Sequence, residues 1–91
     1  MRYLVTYDIC EPNRLRKVAR CCEDFGHRVQ KSLFECDLEP DRFANMWTEL
    51  NSLIEPKEDY LVAYPICRSC HDKVITAGKM VTPEKYLTYL I

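Results

Sequence analysis

The sequence predicts an α+β domain of the split βαβ, ferredoxin-like kind, and three observations predict it. Stretches rich in Tyr, Val, Thr, Ile and Leu suit a pleated surface at Tyr3–Ile9, around Arg28–Leu38 and at Tyr60–Ile66. Between them lie two segments whose apolar residues recur at helical spacing. The order is strand, helix, strand or hairpin, helix, strand. If Lys31-Ser32 turns the middle run into a hairpin, the order becomes β-α-β-β-α-β, a four-stranded sheet with two helices on one face.

The opening stretch, Tyr3-Leu4-Val5-Thr6-Tyr7-Asp8-Ile9, is apolar on nearly every residue until an acid arrives near its end. Such a run suits the middle of a covered sheet. Asp8 has two readings: a cap or turn acid for the next helix, or a metal ligand aimed at a phosphate. Cys10-Glu11-Pro12-Asn13 is a loop and helix start, with Pro12 fit for the first turn and Glu11 or Asn13 as cap. Leu15, Val18, Cys22 and Phe25 form the buried face of the helix that follows. Arg14, Arg16, Lys17 and Arg20 form its basic face, and Gly26 ends it.

His27 to Leu38 is one long strand or a hairpin; Lys31-Ser32 contains no glycine, so the turn signal is weak. Glu39-Pro40-Asp41 starts a second helix, with Phe43, Met46, Trp47, Leu50, Leu53 and Ile54 as its core stripe. The charged loop 55–59 leads into Tyr60–Ile66, where Pro65 limits the ladder. Cys67 to Cys70 reads as a turn, and Lys73–Ala77 as a short extra strand before Gly78. Residues 1–78 then make the domain. Residues 79–91 form a tail whose Tyr86, Leu87, Leu90 and Ile91 are expected to pack on their own or a partner subunit.

Ninety-one residues support one core, and 47% apolar composition is ordinary for a globular chain. The net charge of −1 excludes a strong overall field for nucleic acid, so a polyanion site has to arise from local clustering or from assembly. No apolar run is long enough to span a membrane, and no signal peptide precedes the first strand, which leads us to expect a cytoplasmic protein. The six cysteines, Cys10, Cys21, Cys22, Cys36, Cys67 and Cys70, are expected to be reduced there.

Two constellations carry chemistry. Cys67 and Cys70 form a C-x-x-C followed by His71. A turn with buried thiols comes first and a zinc site second, since zinc needs four ligands and one chain offers three, or two chains four across an axis; a redox dithiol is a further reading. The other constellation is Tyr7, Asp8, the basic helix, and Arg28 to Phe34. A hard cation wants several oxygens, and Asp8 has no second carboxylate close in sequence. A two-fold axis would supply one from a second chain. An open sheet face on so small a domain also favours burial against a copy of itself or against nucleic acid.

The blocks Tyr7-Asp8-Ile9, Pro12-Asn13-Arg14-Leu15-Arg16-Lys17-Val18-Ala19 and Arg28-Val29-Gln30-Lys31-Ser32-Leu33-Phe34-Glu35-Cys36-Asp37-Leu38 closely resemble the CRISPR-associated protein Cas2 family. The loop and strand Asp59–Cys67 with a second cysteine following also resemble it. The similarity covers residues 3 to about 78 in matching order. It implies a ferredoxin-like fold turned at Lys31-Ser32. It further implies a homodimer with sheets face to face, in which the strand after the C-x-x-C extends the partner's sheet.

By the same resemblance the protein would serve antiviral defence as a Mg²⁺- or Mn²⁺-dependent endonuclease on RNA or double-stranded DNA. It would also bridge CRISPR integrase subunits in the spacer-acquisition complex. Asp8 would hold the metal with the second chain's Asp8, while Tyr7, Arg28, Ser32 and Phe34 match positions tied to activity or to shaping the site. Arg14, Arg16 and Lys17 map onto the family's helix arginines for nucleic acid. Lys31 adds charge where an aromatic residue is common. Part of the family dispenses with the acid for acquisition, so a non-catalytic dimeric scaffold is the alternative.

Overall fold

The computed structural model describes residues 1–78. The elements run β1 (Arg2–Asp8), α1 (Pro12–Phe25), β2 (His27–Gln30), β3 (Leu33–Asp37), α2 (Pro40–Leu53), β4 (Tyr60–Ile66) and a single turn of helix, α3 (Arg68–His71). The expected β-α-β-β-α-β order is present. The middle run is a hairpin, turned at Lys31-Ser32, and the sheet order is β2-β3-β1-β4, all antiparallel. The apolar opening stretch is therefore a central strand.

Strand alternation assigns the two faces. In register, Val5 lies between Phe34 and Ala63, and Tyr3 between Cys36 and Pro65. Val5, Tyr7, Phe34 and Cys36 are buried beneath the helices with Val18, Cys21, Cys22, Met46 and Leu50. Tyr3 stacks on Phe43 with ring centroids 3.9 Å apart, and Phe43 on Trp47, which docks α2 along β1. The opposite face carries Leu4, Thr6 and Asp8 of β1, Leu33 and Glu35 of β3, and Tyr60, Val62 and Tyr64 of β4. The long helices α1 and α2 leave it open, and α3 reaches it only at one end, where His71 meets Glu35. Tyr60 and Tyr64 are more than half exposed there.

Several local expectations change. The α1 cap is Glu11, whose carboxylate accepts from the Asn13 and Arg14 backbone N–H groups. Gly26 does end α1, but with φ −161°, which is extended rather than left-handed. Its lack of a side chain answers a close approach: a Cβ there would lie 2.4 Å from the Glu35 carbonyl oxygen and 2.5 Å from the Cys36 sulfur. Pro65 does not stop the ladder. β4 is an edge strand running on to Ile66, where a missing N–H costs nothing if it faces outward.

The turn expected at Cys67–Cys70 is the start of α3, and its thiols are exposed rather than buried. Residues 74–77 join no ladder in the single chain. A strand exists only by pairing, and the sheet's own edges are β2 and β4. The tail expected to pack at 79–91 lies outside the described residues. No helix among the described residues is long and apolar enough to cross a membrane.

Candidate nucleic-acid and metal site

Asp8 closes β1 on the open face, exposed and paired in register with Tyr60. Among the described residues no hydrogen bond or ion pair engages its carboxylate. The Tyr7 backbone N–H donates to the Ser32 carbonyl at 3.3 Å, which sets the hairpin turn directly across from the end of β1. Ser32 thus meets this strand end through its backbone, and Lys31 is exposed beside it.

The remaining expected site residues sit behind the sheet. Tyr7 and Phe34 are buried on the helix face, their rings 6.2 Å apart. Arg28 is folded inward, its side chain only 10% exposed. Its guanidinium lies 4.8 Å over the Phe34 ring, 3.7 Å from the Glu23 carboxylate, and donates to the Lys31 carbonyl. Arg28 therefore braces the turn against α1. The fold brings Asp8, Ser32 and Lys31 to one end of the sheet; the side chains of Tyr7, Phe34 and Arg28 form the packed layer that supports them.

The basic helix divides. Arg14 turns away from solvent into a cluster around Asp59, whose side chain is fully buried. Asp59 accepts from Arg14 Nε at 2.8 Å and Nη2 at 3.2 Å, from the Cys10 backbone N–H at 3.0 Å and from the Glu55 backbone N–H at 2.8 Å. Arg14 also reaches Glu58 at 3.0 Å. The Arg14 hydrogen bonds, helped by the two backbone donors, hold the Asp59 carboxyl down at about 2, against the opposing effect of burial. The same pairing raises the Arg14 guanidinium above its already high range. Arg14 is thus committed to the fold.

Arg16, Lys17 and Arg20, with Asn13, line a shallow groove of about 300 Å³ on the exposed face of α1. Arg16 also donates to the Asn13 side chain.

Sequence reasoning missed Asp59. It sits in the acidic run Glu55–Asp59, and nothing in the sequence separates the one buried carboxylate from its solvated neighbours. Its role is to tie the loop after Asp8 to the start of β4, on both sides of the candidate site. Arg20 was visible as part of a basic face, but its place in the groove was not.

The described residues of one chain do not gather the zinc ligands named from the sequence. His71 does not join Cys67 and Cys70; its Nε2 sits 2.9 Å from Glu35, which also accepts from Arg2 at 2.6 Å. Among the described residues no three His, Cys, Asp or Glu side chains come together to hold a metal ion. That applies to Asp8 as well. Among the described residues Asp8 has no second ligand group beside it.

Comparison with known proteins bears on this arrangement. The model of the CRISPR-associated protein Cas2 family matches residues 1–74. The chain belongs to the Cas2 family.

A CRISPR-associated endoribonuclease Cas2 of Chloroflexus aurantiacus is 40% identical over 85 residues, covering 92% of this chain and 91% of its own length. A CRISPR-associated endonuclease Cas2 of Halalkalibacterium halodurans is 38% identical, with 86% of each chain covered. Among solved structures, Cas2 of Streptococcus pyogenes superposes with a TM-score of 0.78 at 37% identity. It covers 86% of this chain and 100% of its own. The Cas2 fold is accordingly the fold described above.

Proposed function

We propose that this Cas2-family chain is a metal-dependent endonuclease that hydrolyses phosphodiester bonds of RNA or double-stranded DNA, acting as a homodimer. The observation that carries the proposal is the placement of Asp8: an exposed carboxylate at the exit of a central strand, on the sheet face that α1 and α2 leave open. The names of the relatives, endoribonuclease and endonuclease, support it.

A second chain packed on the open face would bring a second Asp8 to the first, which one chain lacks. A Mg²⁺ or Mn²⁺ ion held by that pair would polarise the phosphate and acidify a bound water. This chain's own residues have the other tasks. Arg16, Lys17 and Arg20 neutralise backbone phosphates, so binding follows the backbone rather than the bases and weakens with salt. Lys31 adds charge at the turn. Asp59 and Arg28 keep the strand end and the turn in place.

A second reading rests on the same lone carboxylate. With no three-ligand group among the described residues, the protein would act as a scaffold, bridging CRISPR integrase subunits and holding the spacer DNA along the basic helix. One comparison separates the two. Purified wild type and Asp8→Ala are incubated with RNA and duplex DNA, with Mg²⁺, Mn²⁺ or chelator, and their oligomeric state is checked by sedimentation. Cleavage that needs both the ion and Asp8 supports the nuclease; cleavage that is absent, or survives the substitution, ends that reading. Loss of spacer acquisition by a folded, dimeric Asp8→Ala protein counts against a purely scaffolding role.

A further inference from the structure

Cys67 and Cys70 lie at the end of the sheet remote from Asp8, where β4 ends at Ile66. Asp8 and Ile66 stand at opposite ends of β1, roughly 20 Å apart at the usual strand rise. Nothing in the nuclease or scaffold reading uses these cysteines. Both are exposed free thiols. The Cys67 carbonyl accepts from the His71 N–H at 2.9 Å, which closes one helical turn and brings the Cys70 side chain back towards Cys67. The two thiols therefore stand three residues apart on either side of one turn, both open to solvent. Ser69 adds a third polar group, its hydroxyl 3.3 Å from the Cys67 sulfur.

The other cysteines differ. Cys21, Cys22 and Cys36 are buried in the core. Cys10 is exposed but has its thiol on the Glu58 carbonyl at 2.9 Å, in another part of the molecule. The C-x-x-C pair alone joins exposure to a neighbouring thiol.

We infer that Cys67 and Cys70 form a reversible dithiol–disulfide pair that exchanges with small disulfides of the glutathione class. The asymmetry of the two thiols suits the task. Hydrogen bonds from Ser69 and then Cys70 hold the Cys67 thiol down at about 7, whereas donating to Cys67 and lying beside its charge push the Cys70 thiol up. The Cys67 thiolate attacks the small disulfide, forming a mixed disulfide and releasing one small thiolate. Cys70 then loses its proton to solvent and attacks the Cys67 sulfur. The Cys67–Cys70 bond forms, and a second small thiolate leaves. The two protein thiols give up two electrons, and the small disulfide takes both. Reduction by excess small thiol runs the same steps backwards. Closing the bond staples the end of β4 to α3, the connection that leads to residues 73–77.

The test uses the full chain, reduced and freed of reductant. It is equilibrated with mixtures of reduced and oxidised glutathione, acid-quenched, alkylated and mapped by peptide mass. The expected result in wild type is a Cys67–Cys70 disulfide that reverses with reduced glutathione. Cys70→Ser should instead trap one glutathione on Cys67. In brief labelling of the reduced wild type at pH 7, Cys67 should react with iodoacetamide severalfold faster than Cys10. The inference is overturned if no internal disulfide forms in wild type across the series, or if Cys67 labels no faster than Cys10. Stoichiometric zinc on the purified chain that blocks exchange would overturn it too. Wild-type mapping decides the matter even if a variant fails to fold, and no outcome depends on nuclease activity.

Discussion

Replacing Gly26 by alanine tests how tightly α1 is seated on the sheet. The added methyl would meet the Glu35 carbonyl oxygen at 2.4 Å, the Cys36 sulfur at 2.5 Å and the Cys36 Cα at 3.0 Å. Each is inside van der Waals contact, and two of the three atoms are backbone. β3 cannot retreat, because β1 and β2 hold it on both sides. The end of α1 would therefore have to lift, loosening Cys22, which is fully buried. Overpacking of this kind costs about 2–3 kcal/mol. Alanine recovers about 0.4–1 kcal/mol by restricting the unfolded chain. The net loss is then about 1–2.6 kcal/mol, or a fall in Tm of roughly 5–20 °C for a domain of this size.

Thermal and urea unfolding by circular dichroism, at one fixed protein concentration, measures it. An unchanged or raised Tm would refute the reasoning. It would mean that Gly26 is an ordinary helix end, with only the unfolded-state benefit of alanine showing.

Asp59→Asn should abolish an acid-dependent share of stability. The folded carboxyl sits at about 2 against an ordinary 3.8, so its ionised form stabilises the fold fully above about pH 4 and ceases to as pH falls towards 2. The stability gap between wild type and variant should close across that window, as read by urea midpoints from pH 6 to 2; a constant gap would remove the charge from the explanation. Neutralising Arg16, Lys17 and Arg20 together to glutamine should reduce the salt slope of duplex-DNA binding by roughly 2–3, if each meets a phosphate. Arg14→Gln should instead lower stability, because its partner is Asp59; an unchanged slope in the triple variant would place the nucleic acid elsewhere. Burial pushes the Cys21 thiol up to about 12 and the Cys36 thiol to about 11, and raises Cys22 as well. At neutral pH these three should label with iodoacetamide only as the chain unfolds. Rapid labelling of the native protein would contradict the packing.

The large-scale pattern was legible because it rests on local rules. Helical spacing in α1 and α2, strand-forming residues and the order of elements follow from side-chain periodicity, and periodicity survives in a string of letters. Asp8 was legible for the same reason: a lone acid ending an apolar strand breaks the pattern. The hairpin turn was harder. Lys31-Ser32 has no strong turn residue, and the β1 pairing, with Tyr7 donating to Ser32, decides it.

What the sequence by itself determined is therefore the element order, the central position of β1 and the acid at its end. Only the tertiary structure decided what each charge does. Arg14, Arg16 and Lys17 look alike in sequence, yet Arg14 is drawn to buried Asp59 while Arg16 and Lys17 face solvent. Arg28 and Phe34, expected to act in the site or to shape it, pack together behind the sheet. His71, taken for a possible third ligand, belongs to Glu35. A side chain's role depends on which partner lies within a few ångströms, and that distance is fixed by contacts between residues far apart in the chain.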